Sequence, residues 1–238
     1  MSCDPIAEAT QGALALLKQL MREPFVLGVG TGRTVAEFLY KLSKDELAKS
    51  LFVVPSSLET AFLASELGLR VLDPRTVSSL DVYVDGVDEL DRRGFILKGG
   101  GGALLGEKIM AYNSSTNIFI LSEEKLVEKV GSKRPIPIEV EPGYLNMILK
   151  AIESLGLKVK PRPSSGKRGP TISDWGGIIM DLEPGIEDLE QLEELLKEIP
   201  GVVETGVFIG YADYAVIGRS VCGYEVLKFE RRKKRKHL

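Results

Sequence analysis

The chain has one histidine among 238 residues, and this residue, His237, stands next to the C-terminus. A single histidine in that place excludes a Ser-His-Asp catalytic triad and argues against a metal centre built on histidine. Acid–base chemistry in this protein therefore has to use carboxylates, lysine or tyrosine.

Cysteine is scarce and long apolar runs are lacking. Cys3 and Cys222 stand alone without metal-ligand spacing, so we expect no metal site and no disulfide framework. No apolar stretch approaches the roughly 20 residues that span a bilayer. The opening residues, MSCDPIAEAT, are too polar and acidic for a secretory signal. These absences predict a cytoplasmic protein with no membrane partner.

Side-chain amides are few and charges are many. Three asparagines and three glutamines accompany 31 basic and 34 acidic residues, a balance that leans toward heat-adapted proteins. Six basic residues form one run, RRKKRK at 231–236, which could touch nucleic acid. We interpret this run as a solvated, mobile tail and expect no nucleic-acid partner.

Hydrophobic periodicity predicts alternating strands and helices in the first half of the chain. Ser56 and Glu59 form a capping-box pattern at the start of the third helix. Such alternation predicts an α/β fold, a mainly parallel Rossmann-like sheet with helices on both faces. The predicted strands lie at 25–29, 51–54, 70–72, 81–84 and 117–121, and the predicted helices at 6–20, 35–42 and 61–67, with a fourth after the glycines at 99–102.

Pro135 and Pro137 mark a change of organisation. From 138 to 209 the predicted order is strand, helix, strand, strand, helix, strand, the ferredoxin-like βαββαβ pattern of a small α+β domain. Within it, one strand is expected at 172–182, interrupted by Gly176 and Gly177, and another at 202–209. Segments 215–217 and 225–229 are predicted to return to the main sheet. We therefore predict a catalytic α/β domain at 1–133 and 210–238 and a small inserted domain at 134–209.

The glycine loop at 28–34 reads GVGTGRT and joins a predicted strand to a predicted helix. Amides at a helix N-terminus favour a bound phosphate. Arg33 stands where a dinucleotide fingerprint needs its third glycine. Thr31, Arg33 and Thr34 would supply hydroxyls and a cation to a phosphate monoester, whereas the alternative is a plain tight turn.

The most informative segment, at 81–113, reads DVYVDGVDELDRRGFILKGGGGALLGEKIMAYN. Asp85 and Asp88 follow a buried strand, where they could hold hydroxyls of a polyol, ligate Mg²⁺ or cap a helix. Lys98 ends the next apolar segment, and the free amides of four glycines follow it. A cation in that place could stabilise an oxyanion.

Glu107 lies in the helix that these glycines open, next to Lys108. One interpretation is a solvated Glu–Lys helix face. The other is a buried general base whose pKa is raised by desolvation, which suits a chain without a usable histidine. Lys125 follows the strand at 117–121 and could approach the same sheet edge, although its spacing alone favours solvent.

The segments GVGTGRT, SSLET, YVDGVDELD, LKGGGGALLGEKIMA and PGVVETGVF, followed by ADYAVIG, together resemble ribose-5-phosphate isomerase of the A type. The resemblance extends over nearly the whole chain. It implies interconversion of ribose 5-phosphate and ribulose 5-phosphate in the non-oxidative pentose phosphate pathway, with neither metal nor organic cofactor. It also implies a homodimer or homotetramer.

Carried onto this sequence, the resemblance assigns catalysis to four side chains. The aspartates Asp85 and Asp88 would assist ring opening, Glu107 would move a proton between C2 and C1, and Lys98 would stabilise the enediolate. The substrate-binding residues that it implies are Thr31, Gly32, Arg33, Thr34, Asp85, Gly86, Val87, Asp88, Lys98, Gly99, Gly100, Gly101 and Lys125.

Three departures from the family pattern stand out. Arg33 replaces the serine of the usual GTGST loop, and no lysine precedes Lys18 although members often carry a phosphate-binding lysine in the first helix. We hypothesise that Arg33 supplies the missing charge, because a guanidinium can grip phosphate with two donors. The third departure is SDWGG at 173–177, which replaces an Asp-Asn-Gly-Asn-like turn.

Three alternative functions use similar folds. A sugar-phosphate sensor would not need Glu107 and normally carries a helix-turn-helix module, for which no segment is left over. Acyl-CoA transfer would use Glu107 as a nucleophile and needs room for CoA, which the short loops do not suggest. A nicotinamide dehydrogenase is disfavoured by Arg33. The isomerase is therefore the preferred hypothesis.

Overall fold

The structure, a computed structural model, describes residues 3–22, 25–166 and 168–231. The helices are α1 (Pro5–Leu20), α2 (Arg33–Ser43), α3 (Leu58–Glu66), α4 (Leu104–Tyr112), α5 (Leu145–Ser154) and α6 (Leu189–Lys197). The strands are β1 (Phe25–Val29), β2 (Leu51–Pro55), β3 (Leu80–Gly86), β4 (Glu89–Leu90), β5 (Ile96–Leu97), β6 (Ser114–Ser122), β7 (Ile136–Val140), β8 (Val159–Pro161), β9 (Ile178–Leu182), β10 (Val202–Thr205), β11 (Val207–Phe208), β12 (Tyr214–Gly218) and β13 (Tyr224–Lys228).

The main sheet has six strands in the order β13-β12-β6-β3-β1-β2. All of its pairings are parallel except the one between β12 and the edge strand β13. Strands such as β1, FVLGV, are apolar along their length because helices cover both faces of the sheet. The predicted α/β class is confirmed, and β1, β3 and β6 end at one edge, where the predicted site residues follow.

Two details of this half differ from the predictions. The N-cap of α3 is Ser57, whose Oγ accepts a hydrogen bond from the Thr60 backbone N–H at 3.2 Å. Ser56 instead turns its hydroxyl toward Thr31. The strand predicted at 70–72 is a single bridge between Val53 and Val71, because the chain turns away at the Asp73-capped turn two residues later.

The second half forms a four-stranded antiparallel sheet in the order β10-β7-β9-β8, carrying α5 and α6. This is the predicted βαββαβ order. The boundaries at 134 and 209 stay a prediction. The strand predicted at 172–182 is interrupted at the glycines as expected: residues 173–177 form a turn with Gly176 at φ +88°, and β9 begins at Ile178, to which Ile172 is joined by a single bridge.

The strand predicted at 202–209 is two strands. β10 ends at Thr205, and β11 pairs with β5 in a separate three-stranded sheet of order β11-β5-β4. Gly206 lies between them, and a Cβ built there would meet the Lys98 carbonyl oxygen at 2.3 Å. The break therefore lets the chain pass directly against the backbone of Lys98, whose N–H donates to the Gly206 carbonyl at 2.9 Å.

The expectation of no disulfide is wrong, because Cys3 and Cys222 are bonded across a sequence separation of 219. The bond joins the residue before the Asp4 cap of α1 to the turn between β12 and β13. Each cysteine is isolated in the sequence, and only the placement of α1 beside the end of β12 brings the two together. This cross-link closes almost the whole chain into one loop.

The basic run begins inside the described region. Arg231 is half-buried and donates to the Ser114 and Ala111 carbonyls at 2.7 and 2.6 Å, so the prediction of a solvated residue is wrong there. Residues 232–236 of the run, and His237, lie outside the described residues.

Among the helices of the described ranges, none is both long and apolar enough to cross a membrane.

Removing the disulfide should lower the free energy of unfolding by about 2–4 kcal/mol, because the unfolded chain loses its largest loop constraint. We expect this loss in the Cys3→Ser/Cys222→Ser variant, measured by denaturant titration of both proteins. Reductant should reproduce the loss in the wild type and leave the double variant unchanged. Equal unfolding midpoints for oxidised wild type and variant would contradict the expectation.

Candidate active site

The glycine loop follows β1 and passes in front of the β3 carboxylate. A Cβ built on Gly30 would lie 1.9 Å from the Asp85 carboxyl group, so only glycine fits there. Gly32 has φ +103° and serves as the N-cap of α2 without a side-chain hydrogen bond to the helix. The first amides of α2 are thus left to a ligand, as the predicted phosphate cradle requires.

The hydroxyls of this loop are held by the segment after β2. Thr31 Oγ1 lies 2.9 Å from Ser56 Oγ and donates to Ser57 Oγ at 2.7 Å. Thr34 is buried at the start of α2, whereas Arg33 is exposed and lines the adjoining cavity. The loop is therefore more than a plain tight turn, because its polar side chains are fixed around an open space.

Asp85 is fully buried and lies behind the cavity wall. Its carboxylate accepts a short hydrogen bond from the Tyr83 hydroxyl and another from the Gly86 N–H at 2.7 Å, and it pairs with Lys98 Nζ at 2.7 Å. The oxygens of Asp85 are thus occupied by protein donors, and its assignment to the substrate stays a prediction.

Asp88 does line the cavity, and its Oδ2 accepts from the Gly100 N–H at 2.8 Å. It caps no helix, because the next residues, Glu89 and Leu90, form β4. The magnesium alternative also lacks support: the described residues contain no group of three or more His, Cys, Asp or Glu side chains that could hold a metal ion.

Lys98 and Glu107 meet at the inner end of the cavity. Lys98 is 3% exposed, and its Nζ donates to the Gly86 carbonyl at 2.7 Å and lies 3.3 Å from Glu107 Oε1. Glu107 is 4% exposed in the first turn of α4, so its interpretation as a solvated helix face is wrong. Glu107 Oε2 is buried and has no hydrogen-bond partner in the described part of the chain. That oxygen is free for a ligand.

The charges of this group perturb one another. Burial raises the pKa of Glu107 to about 8, with the Asp85 charge adding to the effect and Lys98 opposing it. Burial opposes a charge on Lys98, but the neighbouring carboxylates, Asp85 foremost, outweigh it and hold its pKa well above its usual range. Burial also raises the pKa of Asp85 despite Lys98. The site thus combines a permanent cation with a carboxylate that titrates near neutrality.

The four glycines shape the wall between Asp88 and α4. Gly99 and Gly102 have φ of +97° and +78°, and a Cβ on Gly100 would meet Asp88 Oδ1 at 2.7 Å. Gly99 and Gly100 are also held from the small sheet by Arg162, whose Nη1 donates to their carbonyls at 2.6 and 3.1 Å. Sequence reasoning missed Arg162, because only tertiary folding brings β8 to this loop.

Lys125 reaches the cavity, contrary to what its spacing alone favours. Its Nζ donates to the Val87 carbonyl at 2.7 Å, and burial lowers its pKa. The cavity, about 440 Å³, brings together every predicted binding residue except Asp85, together with Glu107 and three residues that sequence reasoning missed. These three are Ile6, Glu124 and Arg134. Ile6 lies at the start of α1, so this helix also reaches the cavity.

Comparison with known proteins identifies the family of the chain. The model of the family ribose 5-phosphate isomerase A (phosphoriboisomerase A) matches residues 52–221. Ribose-5-phosphate isomerase A of Aeropyrum pernix is 53% identical over 94% of this chain and 95% of its own length. The Korarchaeum cryptofilum protein of the same name is 41% identical over 84% and 89%.

Solved structures show the same similarity. Ribose 5-phosphate isomerase A from Methanocaldococcus jannaschii superposes with a TM-score of 0.85 at 33% identity, covering 94% of this chain and 97% of that one. A D-ribose-5-phosphate isomerase in complex with phospho-erythronic acid gives 0.86 at 34% identity, covering 95% and 100%. The chain belongs to the ribose 5-phosphate isomerase A family.

Proposed function

We propose that this protein interconverts D-ribose 5-phosphate and D-ribulose 5-phosphate through an enediolate. The observation that carries the proposal is the unpartnered Glu107 Oε2, buried at the inner end of a polar cavity beside the Lys98 ammonium. A base and a fixed cation at one place are what proton transfer next to a carbonyl requires. Family membership supports the same function.

The phosphate group would bind at the N-terminus of α2. The open amides after Gly32 and the hydroxyls of Thr31 and Thr34 favour an anion there. Arg33 adds a cation on the same rim, and Arg134 and Lys125 add two more around the cavity. The sugar would then extend inward, past Asp88, toward Glu107.

The proton transfer needs one carboxylate. Glu107 Oε2 removes the C2 proton of the open-chain aldose, and negative charge moves onto the C1 oxygen. The O2 hydroxyl proton passes to O1, and Glu107 delivers its proton to C1. The product is the ketose, with a carbonyl at C2 and a hydroxyl at C1. Asp88, which lines the cavity, would assist ring opening, whereas Asp85 would act through Lys98, with which it is paired.

Lys98 suits the oxyanion role because its charge is secured by Asp85 and not by Glu107 alone. When Glu107 takes the substrate proton it becomes neutral, and its hold on the ammonium weakens. One N–H of Lys98 can then turn to the enediolate oxygen as charge develops there. Lys98 thus exchanges its ion pair with Glu107 for an ion pair with the enediolate.

A non-catalytic sugar-phosphate sensor would use the same cavity but has no need of a buried base, so the position of Glu107 disfavours it. Assembly as a homodimer or homotetramer stays a prediction from the family resemblance, and a cytoplasmic location stays a prediction from composition. The mass of the purified protein in solution would check the first of these.

The purified protein should convert ribose 5-phosphate to ribulose 5-phosphate in the presence of EDTA. Replacing the base in Glu107→Gln should lower kcat by roughly 10²- to 10⁴-fold, the usual contribution of a general base. Product is measured by the absorbance of the ketose. A wild type that binds the sugar phosphate but does not convert it would move the assignment to the sensor.

The rate should depend on the ionisation of Glu107. Because the base must be deprotonated and its pKa is raised to about 8, kcat/KM should rise with pH and level off above that value. The profile is measured between pH 5 and 10 at fixed ionic strength. A plateau already reached at pH 6 would show that Glu107 titrates normally or that another group is the base.

Arg33→Ala should raise KM by roughly 10- to 100-fold and leave kcat nearly unchanged, since a charged hydrogen bond to phosphate contributes about 1.5–3 kcal/mol. Arg92→Ala is the matched control, because Arg92 is also exposed but does not line the cavity. An unchanged KM in the Arg33 variant would refute the hypothesis that Arg33 replaces the missing lysine.

A further inference from the structure

Lys108, the residue after the proposed base, is itself buried, on the other side of α4. It is 4% exposed, and its Nζ donates to Glu193 Oε1 at 2.8 Å, Glu204 Oε1 at 2.9 Å and Thr205 Oγ1 at 3.1 Å. Glu193 belongs to α6 and Glu204 to β10. The Lys108 ammonium therefore connects α4, the helix of Glu107, to α6 and to strand β10 of the small sheet.

The cluster around Lys108 is balanced in charge. Lys197 pairs with the second oxygen of Glu204 at 2.7 Å, so two cations face two carboxylates. Lys108 Nζ also lies 5.0 Å from the centre of the Phe208 ring. A buried ammonium is tolerated only where its partners are fixed. The cluster therefore defines one position for the Lys108 side chain.

No side-chain hydrogen bond caps the beginning of α4, so its position depends on tertiary contacts. It is nine residues long, its N-cap Ala103 makes no side-chain hydrogen bond, and Gly102 just before it has φ +78°. Successive side chains on a helix point about 100° apart. Glu107 therefore faces Lys98 while Lys108 faces the small sheet, and a shift of one displaces the other.

We propose that Lys108 is a positioning residue for the isomerase reaction: by fastening α4 to α6 and β10, it holds the Glu107 carboxylate at its place beside Lys98. The inference rests on the proposed function. It also gives the small sheet a part in catalysis, because that sheet supplies the carboxylates that grip the helix of the base.

The test compares two charge-balanced double variants. Lys108→Met/Glu193→Gln removes the tie between α4 and α6 without leaving an unpaired buried charge. Lys158→Met/Glu183→Gln is the control, since it removes an exposed ion pair beside the small sheet and leaves the Lys108 cluster intact. Active sites are counted by titration with phospho-erythronic acid, the compound bound to a related enzyme, and folding is followed by circular dichroism.

We expect the Lys108 variant to lose about 10- to 100-fold in kcat per active site with KM changed less than about 3-fold, as a small misplacement of a catalytic group would cause. The control should keep the wild-type kcat. A loss in Lys108 and control variants alike, or an unchanged kcat per site in the Lys108 variant, would overturn the proposal. An inactive wild type would instead refute the proposed function.

The pH dependence of kcat/KM distinguishes a displaced Glu107 from a mere loss of stability, because a loss of stability alone does not change the pKa of the base. The charged groups facing Glu107 are Asp85, Asp88 and Lys98, and all three remain in the variant. A released α4 would let water reach Glu107, so the acid limb of kcat/KM should move to lower pH. If the double variant does not fold, Lys108→Arg should retain part of both properties, and a fully wild-type profile there with kcat abolished would contradict the proposal.

Discussion

The structure depends on burying the Lys98 ammonium between two carboxylates. An isolated charge at 3% exposure would be expelled or neutralised, so Lys98 requires Asp85 at 2.7 Å and Glu107 at 3.3 Å. Asp85 in turn needs the Tyr83 hydroxyl and the Gly86 N–H. One cation cannot neutralise two ionised carboxylates, so a net negative charge would remain in the buried group. Burial and the charge of Asp85 therefore favour the protonated form of Glu107 and raise its pKa.

Three glycines are required by the close packing around this buried group. Gly30 lies where any side chain would overlap the Asp85 carboxyl group, and Gly206 lies where one would overlap the Lys98 backbone. Gly100 leaves room for Asp88 in the same way. One glycine in each of the two glycine-rich segments, Gly30 and Gly100, thus leaves the space that a neighbouring carboxylate occupies.

Features encoded locally could be predicted from the sequence, and features that join distant segments could not. The alternation of strands and helices and the helix of Glu107 each arise within a short window. The Cys3–Cys222 bond and the Arg162 contact to the glycines each link segments far apart. A solvated Glu–Lys helix face was one of two interpretations of Glu107 and Lys108, and it fails for Lys108 because α6 and β10 approach this side of the helix and bury it.

Glu107 and Lys98 affect the pH dependence of the free energy of unfolding in different ways. The folded state raises the pKa of Glu107 from 4.5 to about 8, so it binds this proton more tightly than the unfolded chain does. Stability from this group is therefore lost as pH rises from 4.5 toward 8, the range in which the base becomes active. Lys98 acts in the other direction, because its raised pKa stabilises the fold at every pH below its ordinary value of 10.5. The cation that would serve the enediolate thus also keeps the ionised base in the folded protein.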